Sequence, residues 1–246
     1  MRTKIFLQIV LFTVIIFTFN FVSTNAQIDS SAVAILDRMS FAVGNLQSCS
    51  LTLKTENDIL DARLGSVTFS DNARVYLKAP DKLYVTKSGD KGNKEFYYDG
   101  KNFIYYSKDI NTYSTAPAPT TIIQTIDSIH NTLGIDFPAA DFFYPYFVDQ
   151  LLEMSDNLVN LGITSVNNKK CYHIAGTTID KTYQIWIADD GTFLPVKLSI
   201  VTVSPGSDEH YTALYEDWVL NPTLQDSMFD FTAPSDALKV KFSVKR

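Results

Sequence analysis

The chain has 246 residues, a formal net charge of −6, two cysteines and 13% aromatic residues. That length fits one large domain or two small ones. The acidic balance argues against nucleic acid, or an anionic membrane, as a partner reached by bulk electrostatics.

Residues 1–26 read as a cleavable signal peptide. Arg2 and Lys4 are basic, and Ile5 to Val22 is an apolar run diluted by Gln8, Thr13, Thr18 and Asn20. Ser23, Thr24, Asn25 and Ala26 then supply small residues for a cut before Gln27. An uncleaved anchor is the alternative, because the run is about long enough to span a bilayer. The polar interruptions and the small-residue end favour cleavage. No cysteine stands at the cut, so no lipid anchor is expected there. The remaining 220 residues carry a charge of −8 and no second run long enough to cross a membrane. Membrane contact is therefore expected to be transient at most.

One amphipathic helix follows, with Asp29, Ser30 and Ser31 as N-cap candidates and Ala32, Ile35, Leu36, Met39, Val43 and Leu46 as its apolar stripe. From Ser48 the period changes to two. Strands are predicted at Ser48–Glu56, Leu64–Ser70, Arg74–Lys78, Lys82–Lys87, Lys94–Tyr98, Asn102–Ser107 and Asn111–Thr115. Turn residues separate them, among them Asp71-Asn72, Ser88-Gly89-Asp90 and Asp99-Gly100. Short turns mean antiparallel neighbours. Either loop length at Asp99-Gly100 puts Phe96, Tyr98, Phe103 and Tyr105 on one face, expected inward. Glu95, Tyr97, Ile104 and Tyr106 fall on the other, expected to meet solvent or a thin cover.

Pro117 and Pro119 interrupt the sheet. Thr121 to Leu133 reads as a helix with Ile122, Ile126, Ile129 and Leu133 on one stripe, closed by Gly134. Phe137 to Met154 is a second apolar helical stretch, broken by Pro145. Strands resume at Leu158–Val166, Lys170–Thr177, Thr182–Ala188, Pro195–Val203 and His210–Leu220, with turns at Asn167-Asn168 and Asp189-Asp190-Gly191. A tail with Phe229, Phe231 and Pro234 ends in Leu238–Phe242. With no linker or compositional break, residues 27–246 are expected to form a single, mainly β (α+β) domain.

An oxidising compartment makes a disulfide possible. Cys49, however, shares a strand face with Leu51 and Leu53, whereas Cys171 lies opposite Tyr172 and Ile174. With apolar faces inward, one thiol points in and the other out, which predicts two unbonded cysteines.

The chain carries no nucleophile elbow, phosphate loop or dinucleotide fingerprint. His130, His173 and His210 lie far apart, with no metal-ligand spacing. Asp189-Asp190 reads as a turn rather than a carboxylate pair, and Asp217 as a strand-surface carboxylate. No catalytic residue, metal site or cofactor is expected. What remains is an aromatic strand face and two apolar helices inserted into a β run. A curled sheet either buries such helices as core or leaves an apolar cavity beside them. Leu83, Phe96, Tyr98, Phe103 and Tyr105 are the candidate wall of that cavity. Ile122, Ile126 and Ile129 are its candidate lid.

Several stretches resemble the periplasmic lipoprotein carrier LolA and its relatives. Leu77-Lys78-Ala79-Pro80-Asp81-Lys82-Leu83-Tyr84 is similar to the family's strand–proline–strand corner, Tyr98 to Phe103 to its Asp-Gly-Lys hairpin, and Met228 to Pro234 to its C-terminal signature. Phe96–Pro119, Cys171–Ala175 and Tyr183–Leu198 look like a branch of predicted periplasmic proteins of unknown function. The resemblance implies a periplasmic protein with an incomplete antiparallel β-barrel whose inserted helices plug the mouth as a lid. It implies a hydrophobic small molecule or lipid as ligand. The carrier has an arginine before the corner proline that latches the lid; Ala79 stands there and offers no side-chain donor. A carrier of a lipid, acyl chain or hydrophobic peptide is the leading reading. An envelope interaction or sensory module with a protein partner is the alternative.

Overall fold

A computed structural model describes residues 27–133, 135, 137–203 and 208–242. The expected signal peptide and Gly134 lie outside the described residues. Helix α1 spans Ser30–Gly44 and buries Ala32, Leu36, Met39 and Val43. Asp29 caps it by accepting a hydrogen bond from Ser31 N at 2.8 Å, which satisfies one free N–H group of the first turn. Its second oxygen accepts from Asn160 N at 3.2 Å. The cap thus also ties the helix to the strand beneath it.

The strands are β1 (Gln27–Ile28), β2 (Ser48–Asp61), β3 (Gly65–Lys78), β4 (Lys82–Gly89), β5 (Lys94–Tyr98), β6 (Asn102–Ser107), β7 (Thr112–Pro117), β8 (Asn157–Val166), β9 (Lys169–Thr177), β10 (Lys181–Ala188), β11 (Pro195–Thr202), β12 (Glu209–Leu220) and β13 (Leu238–Lys239). They form one thirteen-stranded sheet in the order β1-β8-β9-β10-β11-β12-β2-β3-β4-β5-β6-β7-β13. Every pairing is antiparallel except the two at the edges, β1 with β8 and β13 with β7. β1 and β13 do not pair with each other, so the sheet is an open, incomplete barrel, as expected from the sequence. Both edge strands are two residues long, so each covers only part of the strand beside it.

The Asp99-Gly100 hairpin forms as expected, with Phe96 opposite Tyr105 and Tyr98 opposite Phe103. Asp99 Oδ1 accepts from Lys101 N and Asn102 N, while Gly100 takes a φ of +89°. The expected turn at Asp71-Asn72 does not form. Those residues sit inside β3, paired with Thr55 and Lys54, and the chain reverses instead between Asp61 and Gly65. Asp71 stays in the strand because its carboxylate meets Lys87 of β4 at 2.6 Å. Asp61 takes the turn role, with Oδ1 accepting from Arg63 N and Leu64 N.

Between β7 and β8 come α2 (Ile122–Leu133), a 3₁₀ turn (Pro138–Phe143) and α3 (Phe147–Met154). Pro145 separates the last two, as expected. All three lie on the inner face, where α1 and these segments share one core with the sheet. Phe142 is the plug's anchor. It meets Phe147 edge-on at 5.1 Å and Tyr215 of β12 at 5.4 Å, and Tyr215 donates its hydroxyl to Ala139 O.

The lid helix α2 is held without the arginine latch. Ile122 N donates to Pro80 O at 2.9 Å, and the Tyr98 hydroxyl donates to Pro119 O at 2.5 Å, just ahead of the helix. The C-terminal segment is the thin cover of the outer face. Phe229 is fully buried, and Phe231 lies among Tyr97, Tyr106 and Tyr113 at 5.3 to 5.5 Å. The segment then rounds the β7 edge, and Phe242 stacks on Phe103.

Cys49 and Cys171 are both free and buried, on opposite faces. Cys49 belongs to the main core. Cys171 packs with Ala188 and Val196 in a small cluster beneath Trp186. Burial pushes the Cys49 thiol up to about 12 and raises that of Cys171. Iodoacetamide is therefore expected to label neither thiol in the native protein and both in denaturant; an unreactive pair in denaturant without reductant would show a bridge. Tyr98→Phe removes the latch hydroxyl. It is expected to cost about 1 kcal/mol and to speed hydrogen exchange in α2 ahead of β5 and β6. Uniform acceleration across the sheet would show that the hydroxyl supports the wall rather than the lid.

Candidate functional site

Between the sheet and α2 the structure encloses a cavity of about 730 Å³, within the range of small-molecule sites. Its wall follows from strand alternation. Successive inward residues along β2 are Leu51, Leu53, Thr55 and Asn57; along β3, Leu77, Val75, Ala73, Asp71 and Phe69; along β4, Leu83, Val85 and Lys87. β5 adds Phe96 and Lys94, β11 adds Ile200 and Thr202, and β10 adds Lys181. Along β2 the lining runs from Leu51 to Asn57, along β4 from Leu83 to Lys87 and along β5 from Phe96 to Lys94, apolar to polar towards the same end of the sheet, while β3 passes through Asp71 and ends at Phe69. Leu51, Leu77, Leu83 and Phe96 are buried, whereas Asn57, Lys91 and Lys181 are exposed. The cavity therefore has an apolar depth and a polar mouth.

Of the residues singled out from the sequence, Leu83, Phe96, Tyr105, Ile122 and Ile126 line this cavity. Tyr98, Phe103 and Ile129 do not. Tyr98 is fully buried and spends its hydroxyl on the lid latch. Phe103 is covered by Phe242, a residue 139 positions further along the chain that takes its place on the cavity wall. Ile129, three residues past Ile126, is rotated about 60° around the helix axis and packs into the closed core. Missed by the sequence reading are Phe137, which meets Phe96 edge-on at 5.5 Å, and Tyr211 and Tyr215 of β12. The period-two register of β12 carried the signal for the two tyrosines. Nothing local signalled Phe137 or Phe242. A second cavity of about 590 Å³ shares Ile126, Phe137, Lys181 and Ile200 with the first and runs under α2 towards α3.

Burial raises the Asp141 carboxyl in the second cavity to about 6. Burial pushes the Tyr211 and Tyr215 hydroxyls well above the ordinary phenol range, so neither is a base near neutral pH. Among the described residues no three His, Cys, Asp or Glu side chains gather as a metal-ligating group. His173 stacks on Trp186 and shares a hydrogen bond with Gln184. Asp189 and Asp190 sit in the expected turn, the first paired with Lys170 and the second accepting from Thr192. Asp217 is exposed in a bulge of β12, where it accepts from Thr52 Oγ1. No helix of the described residues is long and apolar enough to cross a membrane.

No curated protein matches the chain in sequence. Among solved structures, the Mycobacterium tuberculosis lipoprotein LppX is similar in fold, with a TM-score of 0.52 at 19% identity over 80% of this chain and 98% of that one. LprF from Mycobacterium bovis gives 0.48 at 13% identity over 85% and 98%. MucB in the Pseudomonas aeruginosa MucA/MucB complex gives 0.45 at 13% identity, over 83% of this chain and 62% of that one. The likeness to LppX shows the fold alone. Residues 32–243 match the family described as "Predicted periplasmic protein (DUF2092)", and the chain belongs to that family.

Proposed function

We propose that residues 27–246 form one exported periplasmic domain that binds and carries a hydrophobic ligand without catalysis. The observation that carries this reading is the cavity of about 730 Å³ with an apolar depth, roofed by Ile122 and Ile126 of a helix inserted between strands. A packed interior has few voids larger than a water molecule, so an apolar space of this size is a place for an apolar guest. Burial supplies the affinity, at about 0.8 kcal/mol per methylene. The family description supports a periplasmic setting, and the sequence of residues 1–26 supports export by a signal peptide removed before Gln27.

Native mass spectrometry of the protein taken from its own periplasm is expected to give a mass starting at Gln27 and a co-purified lipid. A stoichiometric protein partner in place of lipid would favour the interaction-module alternative. Recovery of chains starting at Met1 in the membrane fraction would sink the signal-peptide assignment.

Ile126 faces both cavities and is buried. In a closed core, Ile126→Glu would bury a charge without a partner and remove most of the stability of the fold. Under a movable lid the carboxylate reaches water as α2 swings out. The expected outcome is a folded variant with a Tm a few degrees lower and at least about tenfold weaker uptake of a fluorescent fatty acid, since one charged group outweighs several buried methylenes. Loss of the fold, together with no probe binding by the unmodified protein, would refute the carrier reading.

A further inference from the structure

The polar mouth of the cavity is built from lysines. Lys87, Lys91, Lys94 and Lys181 all line it, with Asp71 as the one carboxylate among them. Lys87 and Lys94 stand directly opposite each other across β4 and β5, on the same inner face as Val85 and Phe96. Like charges placed directly opposite in an antiparallel pair are destabilising. Desolvation first, and then repulsion from Lys87 and Lys91, lower the basicity of Lys94.

Asp71 makes a close ion pair with only one of these lysines. Its Oδ2 meets Lys87 Nζ at 2.6 Å. Its Oδ1 is buried with no hydrogen-bond partner among the described residues. That oxygen is pressed against Gly89, where an added Cβ would come within 2.4 Å of it. Among the described residues no ion pair engages Lys91, Lys94 or Lys181; Lys91 Nζ instead lies 4.4 Å over the Phe69 ring at the rim. Three ammonium groups at the mouth of an apolar cavity thus form no close ion pair among the described residues, on a chain whose net charge is negative; Asp71 and Asp109 act on Lys94, and Asp141 and Lys181 on each other, only at longer range. A low-dielectric wall focuses their field on the opening.

We propose that these lysines are the headgroup site of the cavity, and that the ligand is an anionic amphiphile: an apolar tail that fills the depth beneath α2, ending in a carboxylate or phosphate held by Lys91, Lys94 and Lys181. This rests on the carrier reading and narrows it. A neutral wax or sterol ester would leave the cations uncompensated, whereas an anionic headgroup gains charge-assisted hydrogen bonds from them.

The test compares two probes with one tail, cis-parinaric acid and its methyl ester, on the unmodified protein and on a Lys91→Gln/Lys94→Gln/Lys181→Gln variant. Lys87 is left in place to keep Asp71 paired. The acid is expected to bind the unmodified protein at least about tenfold more tightly than the ester, a gap that narrows with added salt. The variant is expected to lose that gap while binding the ester unchanged, which also shows that it is folded. Equal binding of acid and ester by the unmodified protein would overturn the headgroup site and leave the carrier reading standing. Binding of neither probe would take the carrier reading with it. A variant that loses both probes would assign the lysines to the shape of the mouth and overturn their role as headgroup ligands. Displacement of the acid by inorganic phosphate at matched ionic strength would make this a free-anion site and overturn the amphiphile.

Discussion

Everything in this molecule depends on a sheet that curls but does not close. Strand alternation gives a thirteen-stranded sheet one face to fill on the inside and one to protect on the outside. A small closed barrel of about eight strands fills its interior with its own side chains, whereas a sheet of this many strands does not. Here β1 and β13 stay apart, so material from elsewhere in the chain must fill the concave side. α1 serves the β8 end, where its cap is bonded to the strand. The segment between β7 and β8 supplies α2, the 3₁₀ turn and α3 to the rest. These fillers pack well around Phe142 and poorly around Ile126, and the space they leave is the cavity.

The outer face is protected by a different device. Glu95 points away from the core, yet it is buried beneath the C-terminal segment. Its carboxylate accepts from the Tyr84 and Tyr97 hydroxyls and from Lys108 at 2.7 Å. Burial by itself would raise Glu95. The bonds from Lys108 and Tyr97, with Tyr84, outweigh that and hold it below the usual carboxylate range. A folded-state value depressed in this way contributes stability at neutral pH that is lost as pH falls through it. Phe231, seated on three tyrosine rings, shields the network from water. The same segment then rounds the β7 edge and delivers Phe242 to the inner face, so one stretch of chain finishes both surfaces.

The sequence showed most clearly what depends on near neighbours. The hairpin at Asp99-Gly100, the turn at Asn167-Asn168 with its two positive φ values, the break at Pro145 and the opposite faces of Cys49 and Cys171 all follow from residues within a few positions of each other. Asp71-Asn72 looked like a turn by the same local rule. It failed because a partner on the neighbouring strand, Lys87, gave the aspartate a better use. The candidate wall was legible as a face but not as a boundary. Tyr98 and Phe103 share that face with Phe96 and Tyr105, and period two cannot say which residues on a face will be covered from above. Pro119 and Phe242 decided that, and neither is near the hairpin in sequence.

The uneven attachment of wall and lid bears on how a guest would enter. β2 and β3 share a ladder over fourteen residues each, and breaking it would unravel the sheet. α2 is tied at its start by one backbone bond to Pro80 and by the Tyr98 hydroxyl on Pro119, and by the Tyr144 hydroxyl on Asp127 one turn further along. It also buries Ile122, Thr125, Ile126 and Ile129. Two of those four face the cavity, where they gain fewer contacts than a filled core would give them. Local opening draws on elements with few buried contacts, and by that measure α2 yields long before the strands do. An arriving tail would restore to Ile122 and Ile126 the contacts they lack. Occupancy and lid closure would then favour each other, with no arginine latch needed to couple them.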